Sequence, residues 1–171
     1  MPGPPPILET CCIMTVVKIV SGGQTGVDRA ALDAAISLGI EHGGWCPSGR
    51  IAEDGVIPLR YRLSELASAE YVDRTRENVA DSDATLIFTR MAELKGGTGL
   101  TADHALQTGR PLLVIDEQED PDAAAERIRR FVQEYHIAIL NVAGPRESEA
   151  PSLGARVREI LTKALGTVSR K

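Results

Sequence analysis

Val16-Val17-Lys18-Ile19-Val20-Ser21-Gly22-Gly23-Gln24-Thr25-Gly26-Val27-Asp28-Arg29-Ala30 is a β-branched run, a glycine turn and an alanine-rich helix start, in that order. Val16 to Val20 suits a buried parallel strand. Beyond the turn, Val27, Ala30, Ala31, Ala34, Ala35 and Leu38 recur at helical spacing and Gly39 is placed to end the segment, so a helix is expected from about Gly26 to Leu38. Strand, glycine turn and helix N-terminus bring unpaired N–H groups and the positive end of the helix dipole to one point. Gly22, Gly23, Gln24, Thr25 and Gly26 are therefore candidate phosphate-binding residues.

The same alternation continues along the chain. Trp45 and Cys46 read as a short second strand ending at Pro47, and 48–62 as a long loop rich in Gly, Pro and charge, with Glu53-Asp54-Gly55 as a turn. Such a loop in a compact domain is more often functional than idle. A short helical turn is expected over Ser64–Ala69, a polar helix over Val72–Ser82 and a strand over Ala84–Thr89. A helix over Leu100–Gln107, a strand over Leu112–Ile115 and a helix over Asp122–Tyr135 follow, the last started by Asp120 as N-cap and Pro121 at N1. A strand over His136–Val142 and a closing helix over Leu153–Leu165 complete the chain. Strands alternating with helices predict an α/β fold: a three-layer, Rossmann-like open parallel sheet with helices on both faces. In such sheets ligands bind at the carboxyl ends of the strands where the order reverses. Were the first strand and Ala84–Thr89 neighbours there, the first glycine turn and a second one at Gly96-Gly97-Thr98-Gly99 would open onto one crevice.

The chain has 171 residues, 43% hydrophobic and 25% charged, enough for one domain with a sizeable core. Residues 1–14, opening on Met1-Pro2-Gly3-Pro4-Pro5-Pro6, read as a disordered tail, because proline removes donors and fixes φ; 15–168 reads as the single domain. A formal net charge of -5, with no Lys/Arg run, argues against nucleic acid as partner. No apolar run approaches the roughly 20 residues that span a bilayer, so no membrane partner is expected and the localisation expected is cytoplasmic. Cys11, Cys12 and Cys46 are too few for a disulfide framework. His42 and Cys46 beside Trp45 are two candidate ligands without a second pair, so no zinc or other structural metal is expected.

The first turn lacks the Gly-Lys-Ser/Thr ending of a Walker A loop and the spacing of a dinucleotide fingerprint, which disfavours ATP hydrolysis. A second turn, Gly96-Gly97-Thr98-Gly99 with Thr101, offers backbone donors and hydroxyls at another helix start. Asp103, nearby, is either a dipole-compensating carboxylate or a catalytic one; His104 reads as structural. Arg74 and Asn78 share a helical face before a buried strand, and arginine matches oxyanions with its planar fork.

Ser21–Ala30, Gly-Trp-Cys-Pro-Ser-Gly-Arg (44–50) with Glu53-Asp54-Gly55, Arg74-Thr-Arg-Glu-Asn78 and Gly-Gly-Thr-Gly-Leu-Thr (96–101) together resemble the molybdenum carrier protein family, over nearly all of Lys18 to Leu165. The resemblance implies a carrier of a phosphate-bearing small molecule, with molybdenum cofactor or a nucleotide-like relative as cargo. It also implies a homodimer or higher homo-oligomer and proteins of molybdoenzyme maturation as partners. That family is similar to the Rossmann-like group of the Lonely Guy (LOG) phosphoribohydrolases, once called lysine decarboxylases. Arg74 matches their arginine, and Gly96, Gly97, Gly99 and Asp103 match their Pro-Gly-Gly-x-Gly-Thr-x-x-Glu signature, with Lys95 in place of the proline and Asp103 in place of the glutamate. The likeness implies an alternative to a carrier, a nucleoside 5'-monophosphate phosphoribohydrolase using Asp103 and Arg74. A nucleotide-sensing module is a second alternative.

Overall fold

In chain order the computed structural model places β1 (Lys18–Val20), α1 (Val27–Leu38), β2 (Glu41–Gly43), β3 (Trp45–Cys46), a 3-10 turn (Ser48–Arg50), β4 (Ile51–Ala52), β5 (Gly55–Val56) and β6 (Ser64–Glu65). There follow α2 (Tyr71–Ala80), β7 (Ala84–Thr89), α3 (Gly96–Gln107), β8 (Leu112–Asp116), α4 (Pro121–Glu134), β9 (Ile139–Ala143) and α5 (Leu153–Leu165). The structure describes residues 15–90 and 94–166. The expected tail 1–14 and the end of the expected domain, 167–168, lie outside the described residues.

The central sheet is parallel and five-stranded, in the order β2-β1-β9-β7-β8. β1 and β7 are therefore not neighbours. The last strand in sequence, β9, runs between them, pairing Ile19 with Leu140 on one side and Leu86 with Val142 on the other. Traced from β9 onward and then round to β1, the order becomes 3-2-1-4-5, that of a doubly wound sheet. The chain is therefore such a fold opened between α5 and β1. Its strand order reverses at β9 and β7, whose carboxyl ends are the place for a ligand.

Strand alternation divides the two faces. Ile19, Ala84, Leu86, Phe88, Leu140 and Val142 are buried in one core with Ala31, Ile128 and Ile160, where α5 packs between α1 and α4. Each large apolar side chain fully buried this way contributes about 1.5–3 kcal/mol. Asn141 and Thr85 point to the other face, that of the packed pair α2 and α3, and Asn141 Nδ2 donates to Thr85 Oγ1 (3.2 Å). β7 is buried at all six positions, which explains why it reads as an unbroken apolar strand.

Several expected boundaries shift, each because a tertiary partner decides. The second strand of the sheet is Glu41–Gly43. Trp45–Cys46 instead pairs with Ser64–Glu65 in a small separate sheet, so Ser64–Ala69 does not begin with a helical turn. The 48–62 loop contains the hairpin β4–β5 and folds round Arg50. The Arg50 guanidinium donates to the carbonyls of Ile57 (3.1 Å), Leu63 (3.2 Å), Pro58 (3.0 Å) and Tyr61 (2.9 Å). α3 starts at Gly96 rather than Leu100, so the second glycine run is the helix's own first turn. β9 starts at Ile139, because His136 takes a positive φ of 53°. Asp120 caps α4 as expected, accepting from Asp122 N–H (3.1 Å) and Ala123 N–H (3.0 Å).

Two contacts fix β9 and its loop. Asp83 Oδ2 accepts from the N–H groups of Ala138 (2.9 Å) and Ile139 (2.7 Å), pinning the start of β9 beside β7. Gly26, at φ 77° and ψ -124°, lies under the β9–α5 loop, where an added Cβ would come within 2.7 Å of Glu147 N and Pro145 O. Gly26→Ala should therefore cost about 3 kcal/mol or more in urea unfolding, from strain and overpacking together. Asp83→Ala should cost about 1–3 kcal/mol, since it strands two backbone donors. Unchanged urea midpoints in both variants would contradict this account of the β9 connection.

Candidate ligand-binding site

At the carboxyl ends of β9 and β7 lies a cavity of about 300 Å³. Its walls come from four directions: Gly22, Gln24 and Asp28 after β1; Tyr71, Arg74 and Asn78 of α2; Gly96, Gly97, Thr98 and Thr101 of α3; Asn141 to Gly144, Arg146 and Glu149 after β9. Both glycine turns thus reach one cavity although their strands are not adjacent. β9 supplies the floor between them.

The first turn contributes less backbone than its sequence promises, because its own side chains consume the donors. Gln24 N–H donates to Asp28 Oδ2 (3.2 Å) and Thr25 N–H to Gln24 Oε1 (3.1 Å). Thr25 Oγ1 donates to Glu53 Oε1 and accepts from Glu147 N–H (3.2 Å). Gly23, Thr25 and Gly26 do not line the cavity. They hold loops together: Glu53 also accepts from Ser148 N–H (3.2 Å), and Asp54 takes a two-pronged bond from Arg29 (2.5 and 2.7 Å). The Ser148 hydroxyl, which donates to Glu53 Oε2 (2.5 Å), and then that of Thr25 hold the Glu53 carboxyl below its ordinary range, and Arg29 does the same for Asp54. The hairpin β4–β5 is thereby bound to the start of α1 and to the β9–α5 loop.

Arg74 reaches from α2 across Gly22. A Cβ on Gly22 would collide with the guanidinium, so this glycine serves close approach. Arg74 Nη1 donates to Asp28 Oδ2 (3.0 Å), its Cζ lies 5.5 Å from the Tyr71 ring centroid, and its buried Nε has no acceptor among the described residues. Asp28 is 5% exposed. Burial raises its pKa most, against the opposing Arg74 charge and the Gln24 N–H. With the folded value above the unfolded one, its contribution to stability is complete below pH 3.8 and is lost as pH rises through the folded value.

On the opposite wall, the first-turn N–H groups of α3 are those a helix leaves without an internal acceptor, but Gly99 N–H is already taken by the Lys95 carbonyl (3.1 Å). Gly99 does not line the cavity. Thr101 Oγ1 donates back to the Gly97 carbonyl (2.9 Å). Asp103 is exposed and absent from the lining. It sits on α3 seven residues past Gly96 and three past Leu100, both of which line the cavity, and is itself outside the wall.

Asn78 lines the cavity with its amide already engaged: Oδ1 accepts from Trp45 N–H (2.8 Å) and Nδ2 donates to the Trp45 carbonyl (3.0 Å). It positions β3. Cys46 is buried in a satellite core with Leu32, Ile57 and Tyr61, its thiol pushed up by burial, and does not reach the cavity. The described residues hold no group of three His, Cys, Asp or Glu suited to a metal ion. Sequence reasoning missed Arg146, Glu149, Asn141 and Tyr71. Gly144-Pro145-Arg146 directly after a strand was the available signal, but it points to a site only once that strand is central. Arg146 Nε pairs with Glu149 Oε1 at 3.4 Å on the cavity rim.

Among known proteins, no curated sequence matches the chain. A solved structure from Syntrophus aciditrophicus SB, named "Putative molybdenum carrier protein", is similar at 44% identity and a TM-score of 0.86, covering 89% of this chain and 96% of that one. The model of the circularly permutated YpsA SLOG family matches residues 19–165, a span that contains all of the central sheet but its first residue, Lys18, and every cavity residue. The permutation in that description is the opening between α5 and β1 seen in the strand order, and the chain belongs to the circularly permutated YpsA SLOG family.

Proposed function

We propose that this protein is a carrier that binds a phosphate-bearing small molecule in the cavity between α2, α3 and the β9–α5 loop, with molybdenum cofactor as its cargo. The observation that carries this reading is the pair of arginines there. Arg74 and Arg146 come from distant segments to one cavity at the sheet's switch point, in a chain whose formal net charge is -5. A guanidinium with an unused buried donor favours an oxyanion over a neutral ligand. Gly22, Gly96, Gly97 and Thr98 allow the anion to come close to backbone, and Tyr71 offers an aromatic face at the same wall. The name of the 44% identical protein, a molybdenum carrier, supports a molybdenum-bearing cargo. The absence of thiols from the lining makes the phosphate the point of recognition, with the metal held by the cargo itself. On this reading the chain works as a homo-oligomer and delivers to proteins of molybdoenzyme maturation.

The hydrolase alternative is less favoured, because Asp103 is exposed and outside the cavity lining. Calorimetric titration at low salt with molybdenum cofactor and with a nucleoside monophosphate tests the carrier reading: cofactor binding without release of free base is expected, and binding of neither overturns it. Arg146→Ala should weaken cofactor binding about tenfold, or about 1.4 kcal/mol, with little change in thermal stability, because Arg146 is partly exposed and its Glu149 pair is on the rim. Asp103→Asn should leave cofactor affinity unchanged. Loss of binding in Asp103→Asn, or free base released from the monophosphate, would favour the hydrolase instead.

A further inference from the structure

Asp28 stands where a bound anion would stand at a helix N-terminus. Its carboxylate takes a backbone N–H of the first glycine turn, that of Gln24, and the Nη1 of Arg74, and it forms part of the cavity wall. Those are the two kinds of donor, turn amide and guanidinium, that a phosphate uses at such a turn. An anion meeting Arg74 through its remaining donors therefore meets a buried carboxylate on the same guanidinium. Two negative charges sharing one cation in a site of low dielectric repel each other strongly, and protonating one relieves the repulsion.

We propose that Asp28 is a positioning residue that holds Arg74 across Gly22 as a surrogate anion, and that oxyanion binding at Arg74 is coupled to uptake of one proton by Asp28. The proposal rests on the reading of Arg74 as the anion ligand and adds its regulation. The groups around Asp28 make it the acceptor of that proton. Arg74 faces it from α2, and Ser21 and Gln24 face it from the β1–α1 turn without a titrating charge. The α3 wall lines the cavity with Gly96, Gly97, Thr98, Leu100 and Thr101, none of them charged. Across the cavity Arg146 and Glu149 pair on the rim. Glu53 lies beyond Thr25 and is bonded to Ser148. Burial already favours the protonated form of Asp28, so the added anion acts on a group disposed to take the proton. The consequence is a carrier that holds its cargo more tightly as pH falls and releases it as pH rises.

Sulfate is the probe, because it brings no titrating proton of its own to the measurement. Calorimetry of the full chain with sulfate, in buffers of differing ionisation enthalpy from pH ~5 to pH ~8, gives affinity and the number of protons exchanged. The wild type should take up protons on binding and bind more tightly at the acid end. Asp28→Asn keeps acceptor and shape without the charge. It should bind sulfate about tenfold more tightly at neutral pH, with affinity independent of pH and no proton uptake. Sulfate binding to the wild type without proton uptake overturns the proposal, and this arm needs no variant to fold. Uptake that persists in Asp28→Asn, or that disappears in Glu149→Gln, also overturns it. Sulfate that does not bind overturns it too, whereas the carrier reading stands or falls on the separate cofactor titration.

Discussion

The pairing of Ile139–Ala143 between Lys18–Val20 and Ala84–Thr89 is the constraint on which the rest of this structure depends. A parallel strand cannot take the centre of a sheet without crossover segments covering both faces. The helices α1, α5 and α4 on one side and α2 and α3 on the other meet that need. The same pairing sets the site. It places the β9–α5 loop, with Arg146 and Glu149, between the two glycine turns, and gives the cavity a floor of Asn141 to Gly144. Asp83 anchors one end of β9 by its two backbone bonds, and Gly26 receives the loop at the other.

What was legible in the sequence is what neighbours along the chain decide. The alanine stripe of α1, the β-branched run of β7 and the Asp120-Pro121 start of α4 carry their structure in a few adjacent residues, and each formed where its pattern placed it. Glu41-His42-Gly43 carries no such pattern. It is a strand because Lys18 to Val20 offers it an edge, which no local propensity encodes. Ser64-Glu65 was misread for the same reason, its partner being Trp45-Cys46. The position of β9 was hidden more deeply. Its own apolar run is ordinary, and its central rank follows from the chain being opened between α5 and β1, a property of the whole topology.

The candidate site divides along the same line. Gly22, Gln24, Arg74, Asn78, Gly96, Gly97, Thr98 and Thr101 all reach the cavity wall, because a glycine turn after a strand and an arginine before one are local signals for strand ends. Their duties were not legible, since duties depend on partners far away in sequence. Asn78 spends both ends of its amide on Trp45, Thr25 joins Glu53 to Glu147, and Gly23 and Gly26 admit side chains and loops rather than a ligand. Asp103, whose identity matched the family signature, is exposed on α3 and does not line the cavity.

Electrostatics then separates scaffold from site. Arg50, nearly buried, is satisfied by four carbonyls and has no acceptor left to seek. Arg29 is fully engaged by Asp54 and the Gly23 carbonyl (3.1 Å). Arg74 differs from both. It has a single carboxylate partner, that partner is a buried group whose ionised form is already costly, and one of its donors is orphaned. A buried, partly satisfied polar pair is expensive to keep for stability alone. Its presence where the strand order reverses is therefore better explained by what the pair does when an oxyanion enters than by what it adds to folding.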